Sequence, residues 1–154
     1  IHANLEEVND KYDLITAFHV IEHLPDPRLT IQSLQNCLKR QGRIVIEVPS
    51  STDALLTLYD CEAFQNFTYW SQHLFLFNNN TLETLAKQAG MRVVALQQYQ
   101  RYPLSNHLYW LSRRKPGGHQ QWAFLDDPLL KETYAKVLAS IGSCDTLIAW
   151  LEKS

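Results

Sequence analysis

The sequence predicts an α/β fold organised around one βαβ unit. Residues 12–20 contain a nearly continuous apolar run, which is typical of a parallel strand covered on both faces. Asp26 can cap a helix whose first residue is Pro27, and apolar residues then recur at helical spacing. Gly42 suits a left-handed turn after that helix, and residues 43–48 form a second apolar strand. The unit therefore predicts a parallel sheet with a right-handed crossover.

A second helix and a further strand follow this unit. Asn80 predicts a helix start, Glu83 is placed to complete a capping box, and Gly90 predicts the helix end. Residues 91–98 then have the composition of a strand. These elements extend the α/β pattern past the first crossover.

The remaining third of the chain predicts an edge hairpin and a terminal helix. Residues 107–113 are interpreted as an antiparallel strand that closes the sheet edge, followed by a loop. Asp127 and Pro128 repeat the pattern of a capping residue followed by proline. Apolar residues keep three-four spacing from there, so a helix is predicted over residues 128–154.

The composition indicates one folded domain. The chain has 154 residues, of which 45% are apolar and 19% charged. A formal charge of −2 provides no general attraction to nucleic acid or to an anionic membrane. Cys37, Cys61 and Cys144 form no CxxC pair, which argues against a disulfide framework or a thiolate zinc site. With no signal peptide and no membrane-spanning run, the sequence predicts a soluble, cytoplasmic protein.

Three stretches carry a resemblance to a known family: YDLITAFHVIEHLPDP, RQGRIVIEVP and HLFLFNNNTLETLAKQAGM. Together they resemble the second half of a class I S-adenosylmethionine-dependent methyltransferase, from the fourth strand onward. The resemblance covers roughly residues 1–100. It implies the later strands of a Rossmann-like methyltransferase sheet, with S-adenosylmethionine as the cofactor.

The resemblance also implies cofactor contacts. Asn4 stands where the family has an aspartate that meets the adenine amino group, and Leu5 stands where a residue covers the ring. Phe18 and His19, at the end of the first strand, are implied to flank the cofactor. The alternative for Asn4 is that it only ends a strand.

The acceptor side is predicted in the aromatic connection over residues 51–78. Long loops at the carboxyl ends of parallel strands often bind ligands, so this segment is interpreted as a substrate lid, or alternatively as a small satellite core. Its stretch around Tyr69, Trp70, Gln72 and His73 resembles sugar C-methyltransferases, which implies that His73 is the general base. Gln72 replaces a glutamate of those enzymes, and a structural role for His73 remains the alternative.

Two metal-dependent alternatives use the same loop. His19, Glu22 and His23 match the H-x-x-E-H spacing of inverted zinc proteases, but that chemistry needs an uninterrupted helix and Pro25 follows closely. Some O-methyltransferases, including ubiquinone-pathway enzymes, have a similar motif plus a later histidine, here His73, that together hold a divalent ion. The preferred interpretation assigns no metal ligand and treats a metal as unlikely.

A glycine-rich turn after a first strand, and an acid after a second, are not found in the sequence. None of the five glycines follows a strand and opens a helix in G-x-G form. The chain is therefore expected to be the later half of a longer enzyme and inactive alone. The competing class is a non-catalytic dimerisation or binding module.

The strand over residues 12–20 is also expected to have one unpaired edge. Its segment LITAFHVI has no proline or acid, so the sequence predicts a homo-oligomer formed through this edge. The terminal helix offers a second surface. The predicted function is methyl transfer to a small polar acceptor, such as a sugar or other metabolite, with neither a membrane nor a nucleic acid as partner.

Overall fold

The computed structural model describes residues 8–69 and 72–154 of the chain. The strands in these ranges are β1 (Tyr12–Phe18), β2 (Leu38–Pro49), β3 (Met91–Tyr99) and β4 (Thr146–Lys153). The helices there are α1 (Pro27–Asn36), α2 (Ala54–Thr57), α3 (Glu62–Thr68), α4 (Asn79–Gln88), α5 (Leu104–Arg113), α6 (Gly118–Gln121) and α7 (Pro128–Ser140). No helix in the described ranges is long and apolar enough to cross a membrane.

The described chain divides into two compact units. The first contains residues 8–48, 74–97 and 147–154, and the second contains residues 49–69, 72–73 and 98–146.

The four strands form one sheet in the order β1-β2-β4-β3. β1 and β2 are parallel, with Leu14 opposite Arg43 and Phe18 opposite Glu47. The predicted βαβ unit and the α/β class are therefore confirmed. Within the described residues β1 has only one neighbouring strand, at the end of the sheet order.

The core of the first unit lies against the sheet. Ile44 and Ile46 of β2, Leu147 and Leu151 of β4, and Ile31 of α1 are all fully buried. Each side chain of this size stabilises the fold by about 1.5–3 kcal/mol through burial. The alternation along β2 and β4 places every second residue in this core, which is the strand period of two.

The helix starts follow capping chemistry. The Asp26 side chain accepts a hydrogen bond from the Leu29 N–H at 2.8 Å, so the predicted start of α1 is confirmed. For α4 the prediction of Asn80 is wrong, because Asn78 and Thr81 form the reciprocal capping box. Asn78 stands two residues earlier and has the same side chain, so the sequence signal allowed both positions.

Gly42 does not form the predicted left-handed turn. It lies within β2, which begins at Leu38 immediately after the helix. A Cβ at this position would be 2.8 Å from the carbonyl oxygen of Tyr12, so glycine is required by the close approach of the neighbouring strand.

The predicted strand over residues 107–113 is a helix. Pro103 precedes α5, and Asn106, His107 and Trp110 are buried at helical spacing. The aromatic and leucine content of this segment favours a strand locally, but packing on one side of a helix outweighs that preference. The strand predicted at residues 107–113 is therefore wrong, and the last strand of the sheet along the chain is formed instead by β4.

The predicted helix over residues 128–154 is also wrong in its second half. Asp127 caps α7 as expected, but the helix ends at Ser140 and Gly142 adopts a φ of +71°. The chain then forms β4, which pairs between β2 and β3. The apolar residues of β4 fit both the helical spacing and the strand period of two. The strand forms because pairing in the sheet places alternate side chains in the core.

In the second unit, part of the aromatic segment forms a small core. Phe64 and Phe67 both pack against the Trp110 ring, at centroid distances of 5.1 and 5.2 Å, and their own rings are 6.3 Å apart. Leu55 and Cys61 are buried in the same cluster. These contacts match the satellite-core alternative for residues 51–78, and a lid role for the segment stays a prediction.

Candidate functional site

His19 stands at the carboxyl end of β1 in a strained conformation. Its φ is +52°, a left-handed value that costs energy for a residue with a Cβ. The backbone N–H of His19 donates to the carbonyl oxygen of Glu47 at 2.9 Å, and its Nε2 lies 3.0 Å from the Glu47 carboxylate. Two contacts to one residue of the next strand therefore hold the histidine in this conformation.

Glu22 is the most unusual residue of the same loop. It lies in the short 3₁₀ turn Ile21–His23 and is fully buried. Its carboxylate lies 3.4 Å from Nδ1 of His19 and 3.7 Å from Nε2 of His23. Neither carboxylate oxygen accepts a hydrogen bond from another described residue. A buried carboxylate of this kind can bind a donor or a cation.

The backbone around Glu22 is fixed by the chain that returns to the first unit. The N–H groups of Leu74 and Phe75 both donate to the Glu22 carbonyl oxygen, at 3.0 and 3.1 Å. The turn is only three residues long, so it does not supply the continuous helix of an inverted zinc protease. The geometry therefore does not fit the protease alternative.

The structure brings together two of the four predicted cofactor contacts. Phe18 and His19 lie at the carboxyl end of β1, the sheet edge where α/β folds bind ligands. Phe18 is 52% exposed, which leaves an apolar surface at that edge. Asn4 and Leu5 lie outside the described residues, so their predicted roles stay predictions.

His73 belongs to the second unit and is half-buried. Its Nδ1 lies 2.9 Å from the carbonyl oxygen of Thr68, the last residue of α3. A carbonyl oxygen only accepts, so Nδ1 carries the proton and Nε2 carries the lone pair in the neutral ring. A backbone contact that fixes the tautomer is what a general base requires. Of its predicted neighbours, Tyr69 is exposed and Trp70 lies outside the described residues.

The second unit also contains a buried polar cluster that the sequence did not indicate. Asp145 accepts hydrogen bonds from the N–H groups of Arg101 and Tyr102, from Gln100 Nε2 and from the Thr146 hydroxyl. These four donors compensate a carboxylate that is only 9% exposed. The donors lie more than forty positions away from Asp145 or directly beside it, so no local motif could have revealed the set.

Burial also changes the pKa of two other groups in the second unit. Burial raises the pKa of Asp53 to about 7, partly opposed by the hydrogen bond from the Leu55 N–H. Burial lowers the pKa of His107 to about 4. At neutral pH His107 is therefore uncharged, and Asp53 takes up its proton near neutrality.

Comparison with known sequences gives the family. A family model described as a methyltransferase domain matches residues 2–96. The chain belongs to the class I S-adenosylmethionine-dependent methyltransferase family. The match covers β1, the loop with His19 and Glu22, and β2, so these elements are part of the methyltransferase domain.

Individual relatives of this methyltransferase chain agree with the family. A ubiquinone biosynthesis O-methyltransferase from Glaesserella parasuis serovar 5 is 42% identical over 43 residues, which are 28% of this chain and 18% of that protein. The structure resembles a SAM-dependent methyltransferase from Archaeoglobus fulgidus with a TM-score of 0.55 and 19% identity, over 97% of this chain and 63% of that one.

A second structural relative is the magnesium protoporphyrin IX methyltransferase of Synechocystis, solved with bound SAH. The TM-score is 0.51 at 12% identity, over 98% of this chain and 49% of that one. The methyltransferase chain thus spans 18% of the curated relative and between about half and two-thirds of these structures. At such identities the structural likeness concerns the fold alone.

Proposed function

We propose that this chain is the later half of an enzyme that transfers a methyl group from S-adenosylmethionine to a small polar acceptor, such as a sugar or other metabolite. The observation that carries the proposal is the position of Phe18 and His19 at the carboxyl end of β1 in a methyltransferase domain. The exposed Phe18 ring fits an apolar part of the cofactor, with His19, Asn4 and Leu5 as its other neighbours.

In this proposal S-adenosylmethionine supplies an electrophilic methyl group, and the chain prepares the acceptor. His73 accepts the proton of the acceptor at Nε2, while its Nδ1–H stays on the Thr68 carbonyl oxygen. The aromatic segment around Tyr69 limits the access of water to the reacting atoms. A fixed base and an aligned acceptor are the protein's main contributions to an in-line displacement.

A metal-assisted O-methyltransferase is the second candidate, and Glu22 is the observation that favours it. The buried carboxylate lies between two histidines of the same loop, and its oxygens accept no hydrogen bond in the described part of the chain. The three residues of this loop, His19, Glu22 and His23, would then supply ligands to a divalent ion. Such an ion polarises hydroxyl groups of the acceptor. His19 stands where the resembled O-methyltransferases have the first glutamate of this motif. Imidazole in place of that carboxylate oxygen favours zinc or iron over magnesium.

The function is tested with radiolabelled S-adenosylmethionine and a panel of sugars and other small metabolites. A longer protein that contains this chain is expected to label an acceptor. The chain of 154 residues alone is expected to bind S-adenosylmethionine more weakly than the low micromolar range, because its sequence contains no glycine-rich turn. Calorimetry measures that affinity.

The same assay separates the alternatives. EDTA and Glu22→Gln should leave labelling unchanged if the base mechanism operates, and both should abolish it if a metal is needed. A longer protein that labels nothing would favour the non-catalytic module. Low micromolar binding by the chain alone would contradict the incomplete cofactor site.

We further propose that the chain self-associates through β1. Leu14 and Phe18 are 56% and 52% exposed along this strand, which has one partner strand in the described structure. Thr16 is exposed on the same strand, so Thr16→Lys should weaken association by placing a charge there. Light scattering at several concentrations measures the effect.

The matched control is Thr133→Lys, which adds the same charge to an exposed position of α7. This control should associate as the parent does. A parent chain that stays monomeric at high concentration contradicts the proposal. If Thr133→Lys alone weakens association, the interface lies on the helix.

A further inference from the structure

Three hydrogen-bonding rings form a line from the surface of the second unit to its interior. Tyr59 follows α2 and is 38% exposed, Tyr134 lies on α7, and His107 lies on α5 with 1% exposure. The Tyr59 and Tyr134 hydroxyl oxygens are 3.0 Å apart, and the Tyr134 oxygen is 2.6 Å from Nδ1 of His107. The His107 ring also meets both tyrosine rings edge to face.

Gln100 determines the direction of these hydrogen bonds at the buried end. Its Nε2 donates to the Tyr102 carbonyl oxygen and to Asp145 Oδ2, both at 2.8 Å, and its Oε1 accepts from the Asp145 N–H at 3.2 Å. These partners identify which end of the amide is nitrogen. His107 Nε2 lies 3.3 Å from that nitrogen. Both hydrogens of that nitrogen already have acceptors, and an amide nitrogen accepts no hydrogen bond. A proton on His107 Nε2 would therefore face N–H groups with no acceptor, so Nε2 carries the lone pair.

The proton positions then follow along the line. His107 is neutral because burial lowers its pKa to about 4, so its one ring proton is on Nδ1 and is donated to the Tyr134 hydroxyl oxygen. Burial and the contact with Tyr59 raise the pKa of Tyr134, so it stays a phenol. The hydroxyl hydrogen of Tyr134 is therefore donated to the Tyr59 hydroxyl oxygen. The hydroxyl hydrogen of Tyr59 is therefore directed away from the line and toward the surface.

We propose that Tyr59 positions the methyl acceptor by donating a hydrogen bond to a carbonyl or carboxylate oxygen of that molecule. This inference rests on the proposed function, because Tyr59 lies in the segment that follows the carboxyl end of β2. A surface tyrosine usually rotates its hydroxyl hydrogen freely, whereas this one is oriented before binding. His107 and Tyr134 are positioning residues that act through Tyr59.

The first experiment measures the His107 tautomer in the full chain by NMR of ¹⁵N-labelled histidine. We expect the proton on Nδ1 at neutral pH. A proton on Nε2 would reverse every hydrogen bond in the line and would overturn the proposal. The measurement needs no methyl transfer, so its failure is distinguishable from failure of the proposed function.

The second experiment titrates the full chain with benzoate and with benzylamine, following tyrosine ring signals. Benzoate presents acceptor oxygens and should bind more tightly than benzylamine, which presents only donors. Tyr59→Phe should weaken benzoate binding about tenfold or more, because it removes a hydrogen bond to a charged group. Benzylamine should bind the parent and the variant equally.

Two His107 variants distinguish orientation from simple structure. His107→Leu removes the donor to Tyr134 and should weaken benzoate binding as Tyr59→Phe does. His107→Asn keeps a donor nitrogen near the position of Nδ1, so its benzoate affinity should be close to that of the parent. Equal benzoate affinity in the parent and in Tyr59→Phe, or no preference of the parent for benzoate, would overturn the proposal.

Discussion

Replacing His73 with alanine in the complete enzyme is expected to lower turnover by about 10²-fold or more, with little change in cofactor affinity. A general base acts on the proton transferred in the transition state, and its loss typically costs about 10²–10⁴-fold. The contact of Nδ1 with the Thr68 carbonyl oxygen leaves the lone pair on Nε2 for this role. Steady-state kinetics together with calorimetric binding of S-adenosylhomocysteine measure both quantities.

His73→Asn separates the base from a purely structural histidine. The asparagine amide can still donate to the Thr68 carbonyl oxygen, but it cannot accept a proton at neutral pH. It should therefore be as slow as His73→Ala. His119→Ala, at another half-buried histidine of the second unit, should keep near-normal turnover. If His73→Asn retains full activity, His73 is structural.

The second large effect is expected at Asp53. Burial raises its pKa from the ordinary aspartate value of 3.8 to about 7 in the folded chain, so folding favours its protonated form. Its stabilising contribution is fully present below pH 3.8 and is lost as the pH rises through about 7. Asp53→Asn removes this loss and keeps an oxygen that can accept from the Leu55 N–H. The variant should therefore gain stability over the parent as the pH rises, up to about 4 kcal/mol.

His107 imposes the opposite dependence over an overlapping range. Its pKa is lowered from 6.5 to about 4, so its contribution is present above pH 6.5 and is lost as the pH falls toward 4. In the parent, the Asp53 dependence offsets the His107 dependence. In Asp53→Asn only the His107 dependence remains, so the free energy of unfolding should rise steeply as the pH rises from about 4 to 6.5. Urea unfolding from pH 3.5 to 8 measures both curves. The exposed Asp10→Asn is the control, and parallel curves for the parent and Asp53→Asn would contradict the assignment.

The first half of the fold could be predicted from sequence because its signals are local. The apolar run of β1, the Asp26 cap with Pro27, and the strand within β2 each specify one element by themselves. The motif around His19 also lies within a few residues, so its place at the carboxyl end of β1 followed directly.

The second half could not be predicted in the same way because tertiary packing decides between two local patterns. The segment over residues 107–113 suits a strand, yet Trp110 and His107 are buried together only in a helix. The apolar residues of β4 fit both the helical spacing and the strand period of two.

The hydrogen-bonded rings around His107 could not be predicted from a local motif either. Tyr134 and Tyr59, the partners of His107, are 27 and 48 positions away in the sequence and share no motif with it.

The position of β4 between β2 and β3 affects how the chain folds. Arg43 of β2 pairs with Glu152 of β4, 109 positions later, and Lys153 reaches the Leu38 carbonyl oxygen across 115 positions. β3 is made earlier than β4 but joins the sheet only through it. During synthesis, the edges of β2 and β3 that pair with β4 therefore stay unpaired until residues 146–153 have been made. Such non-local closure slows folding, and it exposes apolar strand edges to other chains in the interval.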